Sequence, residues 1–205
     1  MKRKPKRSAL LEKAINLFHD RGILRPNELV KQGIPRKYLR LLENQGTIKK
    51  SDRGLYVSTD HEYTEYHSLA LVAKRMPNAV ICLFSALSFH KMTTQSPHQV
   101  WVALKGNAWP IKMEHLKTRV IRLSGPSFDT GITIENVEGV PVKIYGPAKT
   151  VVDCFKFRNK IGLDIALEAL RDFRSKRLGT LDELYSIAKI CREDKVMRPY
   201  LEAVA

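Results

Sequence analysis

The chain has 205 residues, 43% of them apolar, and 36 Lys+Arg against 21 Asp+Glu, a formal net charge of +15. That length suits one large domain or a small one joined to a mid-sized one, and the apolar content is that of a globular protein with a real core. So basic a surface favours polyanionic partners, nucleic acid first and anionic membrane second. No uncharged apolar run reaches the roughly 18 residues that span a bilayer, and charges within "ALLEKAINLFHD" interrupt any secretory leader. A soluble cytoplasmic protein without a membrane partner is therefore expected. Cys82, Cys154 and Cys191 are far apart and odd in number, as expected of buried small hydrophobes in a reducing compartment.

The charge is uneven along the chain. Residues 1–60 hold 15 Lys/Arg and 6 Asp/Glu, while residues 61–205 hold 21 and 15. More than half of the excess therefore lies in under a third of the length, which points to nucleic acid at the N-terminal end.

The chain opens with "KRKPKR": Lys2, Arg3, Lys4, Pro5, Lys6 and Arg7. These cations predict an arm that adds sequence-independent attraction to a phosphate backbone or minor groove. Ser8 is placed to cap a first helix whose Leu10, Leu11, Ala14, Ile15, Leu17 and Phe18 fall on one side, and Gly22 ends it. Pro26 opens a short second helix that runs to Gly33. Pro35 opens a third, which reaches Gln45 and closes at Gly46.

The third helix carries the functional argument. At 100° per residue, Tyr38, Leu39, Leu41 and Leu42 share one broad side, and Arg36, Lys37, Arg40, Glu43 and Asn44 share the other. Cations meet phosphates, and Arg and Asn also make paired hydrogen bonds to guanine and adenine edges. Helix, tight turn at "KQGIP", helix is a helix-turn-helix layout. "TIKKSDRGLYVS" follows, with Ile48 and "GLYV" as strands around the turn cluster "SDRG". A hairpin after a recognition helix is a wing. Its cations Lys49, Lys50 and Arg53 are expected beside the DNA backbone, and Gly54 permits the reversal.

"HEYTEYH" offers few core residues and marks a domain boundary between residues 1–60 and 61–205. A helix is expected from Tyr63 to Met76. "NAVICLFSALSFHKM" reads as a strand, turn and helix, "HQVWVAL" and "TRVIRLS" as strands, and "GITIENVEGVPVKIYG" as a hairpin turning near "NVEG". "PAKTVVDCFKFR", "LDIALEALRDFRSKR" and "TLDELYSIAKICR" read as helices, the last with Thr180 and Glu183 as a capping box. Strands followed by helices predict an α+β C-terminal domain, larger than the winged helix before it.

Residues 61–205 contain no recognisable catalytic constellation. His61, His67, His90, His98 and His115 lack metal-ligand spacing, so no metal or cofactor is expected. "GPAKT" lacks the glycines of a phosphate loop, and no G-x-S-x-G elbow occurs. Lys149 and Asp153 are spaced as an i,i+4 ion pair. Lys156, Arg158, Lys160, Arg171, Arg174, Lys176 and Arg177 form a second cationic set, readable as an anion-facing patch or as solvated helix faces. An enzyme is not expected.

Three segments carry a family resemblance: "NELVKQGIPRKYLRLLENQGTIKKSDRGLYV", "SALSFHKMTTQSPHQVWVAL" and "YGPAKTVVDCFKFRNKIGLDIALEALRDF". With them the chain resembles the AbiEi-type antitoxins of bacterial type IV toxin–antitoxin (abortive infection) systems. The resemblance implies an N-terminal winged helix that represses its own promoter through repeated operator elements in double-stranded DNA. It also implies a C-terminal domain that opposes a nucleotidyltransferase-like toxin without a stable complex. DNA-contact roles carry over to Arg36, Lys37, Tyr38, Arg40, Lys49, Lys50 and Arg53, and to no catalytic residue. Without the resemblance, a ligand-responsive winged-helix regulator with no toxin partner fits the same residues.

Overall fold

The computed structural model describes residues 7–203, and the chain divides into two compact units. Unit 1 comprises residues up to Pro77 together with Lys112–Leu116 and Asn136–Pro141. Unit 2 comprises Asn78–Ile111, Lys117–Glu135 and Val142 onward. Among the described residues, no helix is long and apolar enough to cross a membrane.

Unit 1 is built on a winged helix. It runs α1 (Arg7–Arg21), β1 (Ile23–Leu24), α2 (Pro26–Lys31), α3 (Lys37–Asn44), β2 (Ile48–Asp52), β3 (Leu55–Ser58) and α4 (His67–Arg75). The first helix starts at Arg7, so Ser8 stands in its first turn instead of capping it. The third is shorter than Pro35 to Gln45. The amides of Tyr38 and Leu39 bond three residues back, to the carbonyls of Pro35 and Arg36, which makes the entry a tight turn. The strands form an antiparallel sheet in the order β1-β3-β2. β1 is two residues long, too short to show any periodicity in the sequence. It is defined by its pairing, Ile23 with Val57 and Leu24 with Tyr56.

Helices α1 to α3 enclose one core of Ala14, Phe18, Leu24, Leu29, Ile34, Tyr38, Leu39, Leu42 and Ile48. Each large side chain buried there contributes about 1.5–3 kcal/mol. The unit runs on past residue 60, where the sequence places a boundary. Helix α4 packs against β1 and β3, and Lys74 Nζ meets Glu28 Oε1 at 2.6 Å. That helix starts at His67 rather than Tyr63, because the Tyr63 hydroxyl is engaged with the Ser58 carbonyl outside any helix.

Residues 136–141 add Glu138 to the same unit. Its Oε1 accepts from the Thr64 amide and hydroxyl at 2.7 and 2.9 Å, and its Oε2 lies 2.6 Å from His67 Nδ1. Burial alone would raise this carboxyl, but the bonds from His67 and Thr64 outweigh it and hold it below the usual range.

Unit 2 holds β4 (Val80–Ile81), α5 (Leu83–Phe89), β5 (Val100–Lys105), β6 (Thr118–Leu123) and α6 (Pro126–Asp129). The hairpin β7 (Ile132–Val137) and β8 (Val140–Tyr145) follows, then α7 (Pro147–Lys156), α8 (Arg158–Ile161), α9 (Leu163–Ser175), α10 (Leu181–Cys191) and α11 (Asp194–Ala203). The five strands make a mixed sheet in the order β6-β5-β4-β8-β7, with β5 parallel to β6 and antiparallel to β4. This is the α+β architecture expected. Thr180 caps α10, its hydroxyl accepting from the Glu183 amide at 3.1 Å. Helix α11 has no counterpart in the sequence reading, because Pro199 lies inside it and reads as a breaker.

A charged pair sits at the centre of this core. Lys149 and Asp153, one turn apart on α7, are both fully buried, with Nζ 2.5 Å from Oδ1. The ammonium also lies over the Tyr145 ring, 4.2 Å from its centroid. Burial pushes the Asp153 carboxyl up to about 6 against the opposing pull of Lys149. Gly131 makes room for the lysine: with φ +72, any Cβ there would stand 2.6 Å from Lys149 Cβ. Tyr145 ties the pair to its neighbours. Its hydroxyl donates to the Phe128 carbonyl, and its own carbonyl accepts from Thr150 Oγ1 and from His90 Nε2 at 2.7 Å. That nitrogen therefore carries the proton, and burial keeps the imidazole neutral by lowering its pKa.

Removing one member of such a pair strands the other charge in the core. Lys149→Met and Asp153→Asn are each expected to cost about 3–5 kcal/mol in urea denaturation. The double variant Lys149→Met/Asp153→Leu is expected to recover most of that loss. Single-variant costs near zero would show that the pair does not constrain unit 2.

Candidate nucleic-acid interface

The rotation of α3 separates its two kinds of residue. Leu42 is 0% exposed, Tyr38 3% and Leu39 5%. Arg36, Lys37, Arg40 and Asn44 are exposed. At 100° per residue these four span an arc of about 100°, centred away from the core. Arg36 stands at the N-cap position, and its guanidinium donates to Asn27 Oδ1 of α2 at 2.5 Å. Between the polar residues lies a shallow cleft lined by Lys37, Tyr38, Arg40, Leu41 and Asn44.

Tyr38 is set apart from the other candidates. It belongs to the core of α1 to α3, as its place on the apolar side of the helix requires, while it also lines the cleft, with Lys37 Nζ 5.8 Å from its ring centroid. We read it as a packing residue that fixes the rotation of α3.

The wing has a two-residue loop, Arg53 and Gly54, with Asp52 paired to Leu55. Gly54 takes φ +69, a region that favours glycine. Lys49, Lys50 and Arg53 are all exposed. Successive strand residues point to opposite faces, so the two lysines diverge. Lys50 pairs with Tyr56 and shares its face with Ile48, the face packed on α1 to α3. Lys49 pairs with Val57 on the other face, and its Nζ stands 5.6 Å from the centroid of Tyr63. Lys50 thus stands on the α3 side, Arg53 is exposed at the hairpin tip, and Lys49 lies against Tyr63. Burial and the Glu138 charge raise the Tyr63 pKa, so its hydroxyl remains a donor to Ser58.

Lys2, Arg3, Lys4 and Lys6 of the expected arm lie outside the described residues, and of Arg7 only the backbone is described, as the first residue of α1.

Two supporting residues were not legible as such. Asn27 holds Arg36, a contact that depends on the angle between α2 and α3. Asp52, readable only as a turn former, is 2% exposed. Its carboxylate accepts from the Arg53 amide at 2.5 Å and the Glu114 amide at 3.3 Å, and lies 3.8 Å from Arg75 Nε. It anchors the wing from below while Arg53 points outward.

Residues 12–59 match the family described as transcriptional regulator, AbiEi antitoxin. No curated protein matches the sequence. The fold is similar to the crystal structure of the RV2827C protein from Mycobacterium tuberculosis, with a TM-score of 0.61 and 14% identity, over 91% of this chain and 72% of that one. At that identity the likeness concerns the fold alone.

Asp52→Ala leaves the Arg53 and Glu114 amides without their acceptor and the Arg75 guanidinium without its neighbouring carboxylate. A stability loss of about 1–3 kcal/mol is expected. Amide hydrogen exchange should accelerate from Lys49 to Val57 while α1 is unaffected. Unchanged exchange in the wing would show that Asp52 does not anchor it.

Proposed function

From the match of residues 12–59 to the AbiEi antitoxin family of transcriptional regulators, we propose that this protein binds double-stranded DNA upstream of its own gene and represses it. The observation that supports this most directly is the exposed arc of Arg36, Lys37, Arg40 and Asn44 on α3, beside a wing carrying Lys50 and Arg53. An α-helix fits the major groove, where Arg reads guanine and Asn reads adenine. The first residues of a recognition helix reach the base edges, which gives that role to Arg36, Lys37 and Arg40. Asn44, two turns further on, reaches the groove edge. Lys50 and Arg53 take phosphates of the flanking backbone, and Lys49 contributes less because it faces Tyr63. The arm from Lys2 to Arg7 adds phosphate attraction without sequence choice.

The two kinds of contact separate experimentally. Arg36→Ala and Arg40→Ala should each lower affinity for the promoter by about 1–3 kcal/mol and relax sequence preference. Lys50→Ala and Arg53→Ala should weaken all duplexes alike and reduce the salt slope by about one each. Lys49→Ala should change that slope least of the three wing variants. Equal affinity of the unaltered protein for promoter and scrambled duplexes would remove the specific-repressor reading.

We also propose that the protein opposes a nucleotidyltransferase-like toxin through unit 2 and without a stable complex. Its support is the antitoxin family of residues 12–59 and the resemblance that extends through residues 85–104 and 145–173. If the two activities are separable, the full chain carrying Arg36→Ala and Arg40→Ala should still rescue growth when co-expressed with the toxin. Loss of rescue in this variant, at unchanged protein level, would tie neutralisation to the DNA-binding face.

A further inference from the structure

Unit 2 contains a second cationic site, remote in sequence from the winged helix. A pocket is lined by Arg122 at the end of β6, Ser124 and Ser127 around α6, Lys156 at the end of α7, and Arg192 after α10. None of its lining residues is a carboxylate. We propose that this pocket binds a phosphate group, as inorganic phosphate or as a small phosphate monoester.

Two of the cations are held in place by backbone carbonyls. Arg122 donates through one guanidinium nitrogen to the Gly106 and Ala108 carbonyls, both at 2.8 Å. Its remaining N–H groups keep their donor capacity, since a guanidinium has five. Lys156 Nζ donates to the Cys191 carbonyl at 2.8 Å and lies 3.5 Å from Glu193 Oε1. That one carboxylate is shared with Arg158, 3.5 Å from its other oxygen, and so offsets only part of the local charge. Convergence of one sign on a concave surface focuses potential and favours a counter-ion.

Arg192 is the most telling residue. It ends α10 in the left-handed region, φ 61 and ψ 35, where glycine is the usual occupant. Three of the last four carbonyls of α10 are already satisfied. The Arg192 and Glu193 amides bond the Lys189 and Ala188 carbonyls at 3.1 and 2.8 Å, and Lys156 takes that of Cys191. The guanidinium of Arg192 is therefore not needed for capping. Arg192 thus brings a fork-shaped donor, which suits a phosphate, to the pocket wall. Ser124 and Ser127 also line the pocket, the Ser127 hydroxyl being engaged with the Cys191 thiol.

The test uses the full chain and titrations with inorganic phosphate, glycerol 3-phosphate and chloride at matched ionic strength. Amide shifts should saturate with both phosphates and centre on residues 122–127, 156 and 190–192, with chloride producing none. Tighter binding of glycerol 3-phosphate than of inorganic phosphate would identify an esterified ligand, and equal binding a free one. Arg192→Gly removes the donor while relieving the backbone, so its thermal midpoint should hold or rise while phosphate affinity falls about tenfold. Arg192→Gln provides the same test with a shorter, uncharged polar side chain in place. Arg40→Ala, on the DNA-facing helix, should bind phosphate as the unaltered protein does. Absence of saturable shifts at the pocket, or unaltered phosphate affinity in both Arg192 variants, would overturn the assignment.

Discussion

The rotational setting of α3 governs what unit 1 can do. Tyr38, Leu39 and Leu42 are at most 5% exposed, and their burial fixes the helix about its own axis. Together they contribute several kcal/mol, at about 1.5–3 for each large side chain buried. No other rotation keeps all three out of water, so Arg36, Lys37, Arg40 and Asn44 must face outward. The direction of the cationic arc is thus a consequence of core packing. The wing follows from the same constraint, because Ile48 inserts into the core that holds α3 and sets the start of β2 beside it.

Internal acids complement this arrangement. Glu28 is paired with Lys74, Asp52 with Arg75, and Glu138 with His67 and Thr64. These three carboxylates are engaged inside unit 1, and among the described residues Arg36, Lys37, Arg40, Lys50 and Arg53 form no ion pair with a carboxylate. The local excess of positive charge at that surface is therefore greater than the composition of the segment alone conveys. Unit 2 uses the opposite device. Lys149 and Asp153 cancel each other within the core, and three of the unit's other cations, Arg122, Lys156 and Arg192, line one pocket.

Periodicity made α3 legible in the sequence, because a helix with one apolar and one cationic side has a single reading. The wing was legible from "SDRG" between apolar runs, and α10 from the Thr180–Glu183 spacing. Short or doubly covered elements were not legible. β1 is two residues with both side chains buried, so it carries no alternation. The i,i+4 spacing suggested the Lys149–Asp153 pair, but not its complete burial, which depends on Gly131 and Tyr145 from other elements. Asn27 and Asp52 escaped for the same reason, since their roles rest on partners that only the tertiary structure brings near. The Lys156 pocket was half visible, as one member of a cationic set whose other members fall elsewhere.

Hydrogen exchange of the full chain, bound to the duplex upstream of its gene and to a scrambled duplex, tests the central claim most directly. The expected result is protection of residues 36–44 and 48–55 that is stronger on the promoter duplex, with the rest of unit 1 little changed. Protection confined to unit 2, or identical protection on both duplexes, would contradict the account.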